Sequence, residues 1–225
     1  MIKSEFSERL FETLINHEIL CSLGCDIYIP TQAKESQSGL DALFQGRKRK
    51  ILALQYKVVN QYDKIPNYLK APAFQFNLHY DEKGYTQHNH LAKKSIRGLN
   101  AFYAVPAFVG YKELYNNYHL KTLLDNSYLI SPGREINDKK HHYINFDTNS
   151  TAYLHSKEKV SVQLKTLSDL PRILEECDSY SKDSLVQLLS DDATFTSEET
   201  QNKIVQKEQQ GISFLWDNKI ILLVL

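Results

Sequence analysis

The chain has 225 residues, 27 Lys and Arg against 27 Asp and Glu, 42% hydrophobic residues and 24% charged ones. That composition excludes a disordered or fibrous chain, and the length suffices to bury a core without disulfide or metal staples. Cys21, Cys25 and Cys177 make neither a disulfide framework nor a four-ligand zinc site, the run Ile220 to Leu225 is too short to span a membrane, and the first twenty residues mix charge with apolar groups unlike a signal peptide. A reducing cytoplasm is the expected location, with no membrane partner.

The neutral sum hides a division. From Phe44 to Arg97 eleven Lys and Arg face three acids, a net of +8, whereas from Thr166 to Gln210 ten acids face four bases, a net of −6. Such asymmetry points to a polyanionic partner for the first region, with plain solvation of loops as the competing explanation.

In chain order, Ser4 to Leu20 has the period of a helix, with Phe6, Leu10, Phe11 and Leu14 as its apolar stripe, Glu5, Glu8 and Glu12 opposite, and Ser4 as a cap. CDIYIP, SGLDALF and KILALQYKVV follow as three strand-like runs. Beyond a polar loop from Tyr62 to Pro72, AFQFNLHY alternates like a strand, Gln87 to Leu99 reads as a helix and NAFYAVPAFV as a further strand. A helix over Lys112 to Leu124 precedes strands NSYLIS and HHYINFD around the turn Pro132-Gly133. Leu167 to Ser190 and Glu198 to Gln209 read as helices, and Ile212 to Leu225 as apolar strands. The expectation is an α/β or α+β fold with one central mixed sheet flanked by helices. Residues 1–165 form its core with an extension, and 166–225 an acidic, largely helical C-terminal region packed on that core.

The chemistry concentrates in residues 5–57. In KILALQYKVV the two-residue period puts Ile51, Ala53, Gln55 and Lys57 on one face and Leu52, Leu54 and Tyr56 on the other. Both faces are apolar apart from Gln55 and Lys57, so the strand is expected to be buried, and a buried lysine needs an anion beside it. Asp41 is the one carboxylate in SGLDALF, and an antiparallel pairing brings it to the face of Gln55 and Lys57. A plain structural Asp41–Lys57 ion pair is the alternative.

These pieces resemble the PD-(D/E)XK nuclease superfamily, the restriction-endonuclease-like fold, over roughly the first 110 residues. That family runs helix, three-stranded meander, helix, strand, with an acid on the second strand, an acid-x-Lys triplet in the third and often a glutamate on the first helix. Asp41, the triplet Gln55-Tyr56-Lys57 and a glutamate of SEFSERLFE stand at those places. Glu5 fits the helix position, with Glu8, Glu12 and Glu35 as competitors. Two departures stand out: Leu40 replaces the usual proline, and Gln55 offers a carbonyl oxygen but no charge.

The resemblance implies an Mg²⁺- or Mn²⁺-dependent endonuclease acting on DNA rather than RNA, in bacterial defence against phage or foreign DNA. Asp41, Gln55 and Glu5 would hold the metal, and Lys57 would complete the catalytic set. Such ions need few carboxylates because water and phosphate oxygens fill the rest of the shell.

Arg47, Lys48, Arg49 and Lys50, just before the third strand, and Gln87, His88, Lys93 and Lys94 on the following helix, are the expected nucleic-acid contacts. Tyr62, Tyr68 and Tyr85, among lysines in loops, are candidates for base stacking. Cys21 and Cys25 read as buried small hydrophobes. The acidic C-terminal region suits a homodimer contact or a partner defence protein. The alternative function is a catalytically inactive nucleic-acid-binding or assembly subunit that keeps the fold.

Overall fold

A computed structural model describes residues 1–23, 25–29, 40–45, 50–80, 84–149, 151–155 and 159–176. The expected elements at 177–190, 198–209 and 212–225 lie outside the described residues, as does the basic stretch 46–49.

Helix α1 (Glu8–Leu23) starts where Ser7 Oγ accepts the Leu10 N–H at 3.2 Å, so Ser7, not Ser4, is the cap. Its buried stripe is Phe11, Ile15 and Ile19, spaced by four, with Leu10 and Leu14 half-buried beside it. Next comes the meander β1 (Asp26–Tyr28), β2 (Ala42–Gln45) and β3 (Ile51–Tyr56), antiparallel throughout. All six residues of β3 are buried, as a strand apolar on both faces requires.

The chain then leaves this sheet for β4 (Asn60–Gln61) and β5 (Ala73–Asn77), forms α2 (Thr86–Ile96), and returns as β6 (Asn100–Pro106), parallel to β3. Helix α3 (Tyr111–Leu120) leads to β7 (Ser127–Ile130), antiparallel to β6. Strands β8 (Tyr143–Asp147), β9 (Ala152–His155), β10 (Lys159–Ser161) and β11 (Leu164–Thr166) follow, then a 3-10 turn (Leu167–Asp169) and α4 (Leu170–Glu176).

The fold is α+β, but the single central sheet expected from the sequence is two. A six-stranded mixed sheet runs β1-β2-β3-β6-β7-β11, and a five-stranded antiparallel sheet runs β10-β9-β8-β5-β4. The reason lies in AFQFN and YINFD, whose alternating apolar residues pair with each other rather than with β3.

Two apolar layers result. Phe11, Ile15, Phe44, Leu52, Leu54, Tyr56, Leu114, Leu170 and Ile173 fill the space between the six-stranded sheet and helices α1, α3 and α4. Ala53, Tyr103 and Val105 meet Phe74, Phe76, Ile144, Phe146 and Leu154 of the second sheet in the other layer, together with Leu91 of α2. The Pro132-Gly133 turn needs glycine: Gly133 has φ +74°, and a Cβ there would lie 2.9 Å from Val162. Among the described residues no helix is long and apolar enough to cross a membrane.

Candidate functional site

The antiparallel β2/β3 ladder sets Asp41, immediately before β2, beside the C-terminal end of β3. Its N–H donates to the Leu54 carbonyl at 2.9 Å, and its carboxylate accepts the Tyr56 N–H at 2.5 Å. These two bonds bracket Gln55, and they leave Asp41 only 5% exposed. Gln55 continues the face of Ile51 and Ala53, toward the layer between the sheets, and its parallel neighbour on β6 is Tyr103.

Gln55 is fully buried, and neither its amide nitrogen nor its amide oxygen meets a hydrogen-bonding partner among the described residues. An amide left so costs about 1–3 kcal/mol for each unmade group. The phenols nearby are held neutral. Burial, and then Glu12, Asp41 and Cys25, push Tyr56 well above its ordinary range, and burial followed by Asp41 does the same to Tyr103.

Lys57 departs from the expected geometry. The strand stops at Tyr56, so Lys57 is released from the alternation that would align it with Gln55. Its backbone N–H bonds the Ala104 carbonyl at 3.1 Å, while its ammonium pairs with Glu8 of α1, also at 3.1 Å. The lysine side chain is 13% exposed and the glutamate 40%, so the pair lies at the edge of the fold rather than in its core. The anion that meets the Lys57 ammonium is Glu8.

Glu5, chosen from sequence as the helix glutamate, is used elsewhere. Its carboxylate accepts the Tyr111 N–H at 2.8 Å and caps α3, where an anion also meets the positive end of the helix dipole. Glu8, one of its competitors, takes the place beside Lys57. Helical periodicity could not separate the two, because residue 5 precedes the helix and its position follows from the Glu5 N–H bond to the Val109 carbonyl at 2.9 Å.

The expected nucleic-acid contacts divide as well. His88 is buried, with Nδ1 at 2.8 Å from the Tyr103 hydroxyl and Nε2 at 2.9 Å from the Arg134 carbonyl, so its ring belongs to the core. Burial holds its pKa down to about 4. Gln87 is half-buried in the first turn of α2. Lys93 is 41% exposed and 3.8 Å from Glu135, whereas Lys94 is 0% exposed and unable to meet a solvent-borne phosphate. Lys50 donates to the Glu175 carbonyl of α4; Arg47, Lys48 and Arg49 lie outside the described residues. Tyr85 is buried between the Lys140 carbonyl and the His142 N–H, so it offers no ring for stacking. Cys25 is buried, but Cys21 is exposed on α1.

The donor chemistry at Asp41 and Gln55 fits a hard cation in one respect. A carboxylate and a buried amide oxygen at adjoining ladder positions are oxygen ligands of the kind Mg²⁺ accepts. Among the described residues no three His, Cys, Asp or Glu side chains gather around a common point, and both donors are enclosed, Gln55 fully and Asp41 to 5% exposure. Neither a protein-family model, nor a curated protein, nor a solved structure matches the chain.

Proposed function

We propose that the protein is a metal-dependent nuclease of the PD-(D/E)XK type, acting on DNA in the defence setting which that resemblance implies. The observation that carries the reading is the ladder contact that sets Asp41 beside Gln55 at the C-terminal end of β3, with Lys57, paired to Glu8, following directly in the chain. It occurs in a core that runs helix, antiparallel meander, helix, parallel strand. Asp41 and the Gln55 amide oxygen would hold Mg²⁺ or Mn²⁺, which when bound polarises a phosphodiester and lowers the pKa of a coordinated water. Lys57, next in the chain after Tyr56, would set its charge against the negative charge that grows on the phosphate. Glu8 orients the Lys57 ammonium through the 3.1 Å contact. The Tyr56 N–H fixes the rotamer of Asp41.

The test is cleavage of plasmid and linear DNA in Mg²⁺ or Mn²⁺. Asp41→Asn keeps an acceptor for the Tyr56 N–H, and Lys57→Ala alters a half-buried position, so both should leave the melting transition within a few degrees. Each is expected to abolish cleavage; activity retained in either variant removes the assignment.

A second reading rests on Gln55, which brings no charge and is wholly enclosed. A catalytically inactive subunit that keeps the nuclease fold would show no cleavage in the parent chain and no calorimetric Mn²⁺ binding that depends on Asp41.

A further inference from the structure

The five-stranded sheet has a face that the core does not use. Its inward residues, Phe74, Phe76, Ile144, Phe146 and Leu154, fill the layer against the six-stranded sheet. Alternation turns their neighbours the other way. One row across the strands reads Asn77, Tyr143, His155, Lys159, and the next reads Gln75, Asn145, Tyr153, Ser161. Tyr62 and Tyr68, from the connection between β4 and β5, join this face: the Tyr62 hydroxyl donates to Gln75 Oε1 at 2.6 Å, and Asn145 Nδ2 donates to the Tyr68 hydroxyl at 2.9 Å.

The aromatic groups are held in fixed attitudes. Tyr143 and His155 stack with centroids 4.5 Å apart and planes 13° apart, and Tyr68 meets Tyr153 edge-on at 5.6 Å. His155 Nε2 lies 3.1 Å from Asn145 Oδ1, which locks the imidazole in place. Burial, and then Lys159, hold His155 below its ordinary pKa, so near neutral pH it is a flat uncharged ring. Tyr68 is exposed, and Tyr143 and Tyr153 are half-buried.

Among the described residues the cations of this face reach solvent, while the nearby carboxylates are engaged: Asp63, beside Tyr62, pairs with the N-terminal amine. Lys159 is exposed, with Nζ 4.0 Å from the Tyr68 centroid and 4.6 Å from that of Tyr153, and Lys70 is exposed on the connection that carries Tyr68. Asp147, the carboxylate at the end of β8, is buried and consumed by the backbone N–H groups of Lys70, Asn149 and Thr151 at 2.9, 2.9 and 3.2 Å. What this surface offers is rings and cations, over the Gln75 and Asn145 amides that hold the rings in place. The complement is a polyanion that carries flat bases with exposed faces. In a duplex those faces are stacked away, so the surface suits an unpaired strand.

We propose that the outer face of the five-stranded sheet binds single-stranded nucleic acid, with bases stacked on Tyr143 and Tyr153 and phosphates met by Lys159 and Lys70. The site stands apart from the end of β3 and does not rest on the cleavage reading.

The full chain, in EDTA so that no metal-dependent cleavage intervenes, is titrated into fluorescein-labelled dT20 and into a 20-base-pair duplex, and anisotropy is followed. Binding to dT20 should be at least about tenfold tighter than to the duplex, and Tyr153→Ala should weaken it by about tenfold. Tyr153→Phe keeps the ring and should bind like the parent chain, which separates stacking from simple loss of structure. Lys159→Ser, at an exposed site, should lower the dependence of log Kd on log salt by about 0.7, the value of one phosphate contact on a single strand. Because the titration in EDTA reads binding alone, failure of the cleavage reading leaves this result untouched. Equal affinity for duplex and single strand, an unchanged Kd in Tyr153→Ala, or preference for a neutral oligosaccharide such as maltoheptaose over dT20 would each overturn the proposal.

Discussion

His88 and Gln55 are buried polar side chains in contact with the same part of the core, and the fold treats them in opposite ways. His88 bonds the Tyr103 hydroxyl through one nitrogen and the Arg134 carbonyl through the other, so its polarity is fully spent on structure. Gln55, the ladder neighbour of Tyr103, is as deeply enclosed but spends none of its amide on the described residues. A satisfied buried group rigidifies a core; an unsatisfied one lowers stability unless a group from outside the described residues completes it. Position in the sequence ranks the two alike as site residues, and only the bond inventory separates them.

Exchanging each for leucine sharpens the contrast. Under the cleavage reading, Gln55→Leu removes an oxygen donor to the metal and should lower the cleavage rate by about 10²-fold or more, the scale seen when one preorganised polar group is lost from an active site. His88→Leu should leave the rate per folded molecule unchanged. Its cost falls on stability instead: the Tyr103 hydroxyl and the Arg134 carbonyl lose their partner, and a loss of about 3 kcal/mol in urea denaturation is expected. In the same measurement Gln55→Leu should gain about 1 kcal/mol, because a buried unpaired amide gives way to an apolar group of similar size. A destabilised Gln55→Leu with unaltered cleavage would reverse the comparison.

The pH dependence of stability tests His88 without mutating its neighbours. Its pKa is lowered by burial from 6.5 to about 4. Above pH 6.5 both the folded and the unfolded chain hold it neutral, and its share of stability is complete. As the pH falls below 6.5 the unfolded chain takes up a proton that the folded core refuses, so stability declines until about pH 4, by a total of about 3 kcal/mol. Urea midpoints across that window should show the decline in the parent chain and a flatter profile in His88→Leu.

Much of the local structure was legible. The buried β3, the return of β6 beside it, and the placement of Asp41 next to Gln55 follow from two-residue alternation and from the antiparallel pairing of adjacent strands. The second sheet was not legible, because alternation in AFQFN and YINFD shows that each is a strand but not which strand it pairs with. Glu5 and Glu8 were inseparable for a similar reason: which one reaches Lys57 depends on where the chain before α1 is tied to residues Val109 and Tyr111, more than a hundred positions away. Length and charge could propose a polyanion-binding region, yet the aromatic face of the second sheet emerges only when Tyr68, Tyr143, Tyr153 and Lys159 are brought together by strand register.

The pair Lys93 and Lys94 carries the opening contrast down to its smallest scale. Adjacent in sequence and equal in charge, they differ in exposure: the Lys93 side chain is 41% exposed and Lys94 is wholly buried. A 100° step along α2 turns one to water and the other into protein. Lys93 faces Glu135 at 3.8 Å across solvent, where side-chain entropy and screening nearly cancel the attraction. Lys93→Ala should therefore change stability by less than about 0.5 kcal/mol, and that difference should shrink further in 1 M salt, where the Debye length falls to about 3 Å. A loss above 1 kcal/mol, insensitive to salt, would mean that Lys93 is held by the protein interior as its neighbour is, and that exposure on this helix does not separate structural cations from solvent-facing ones.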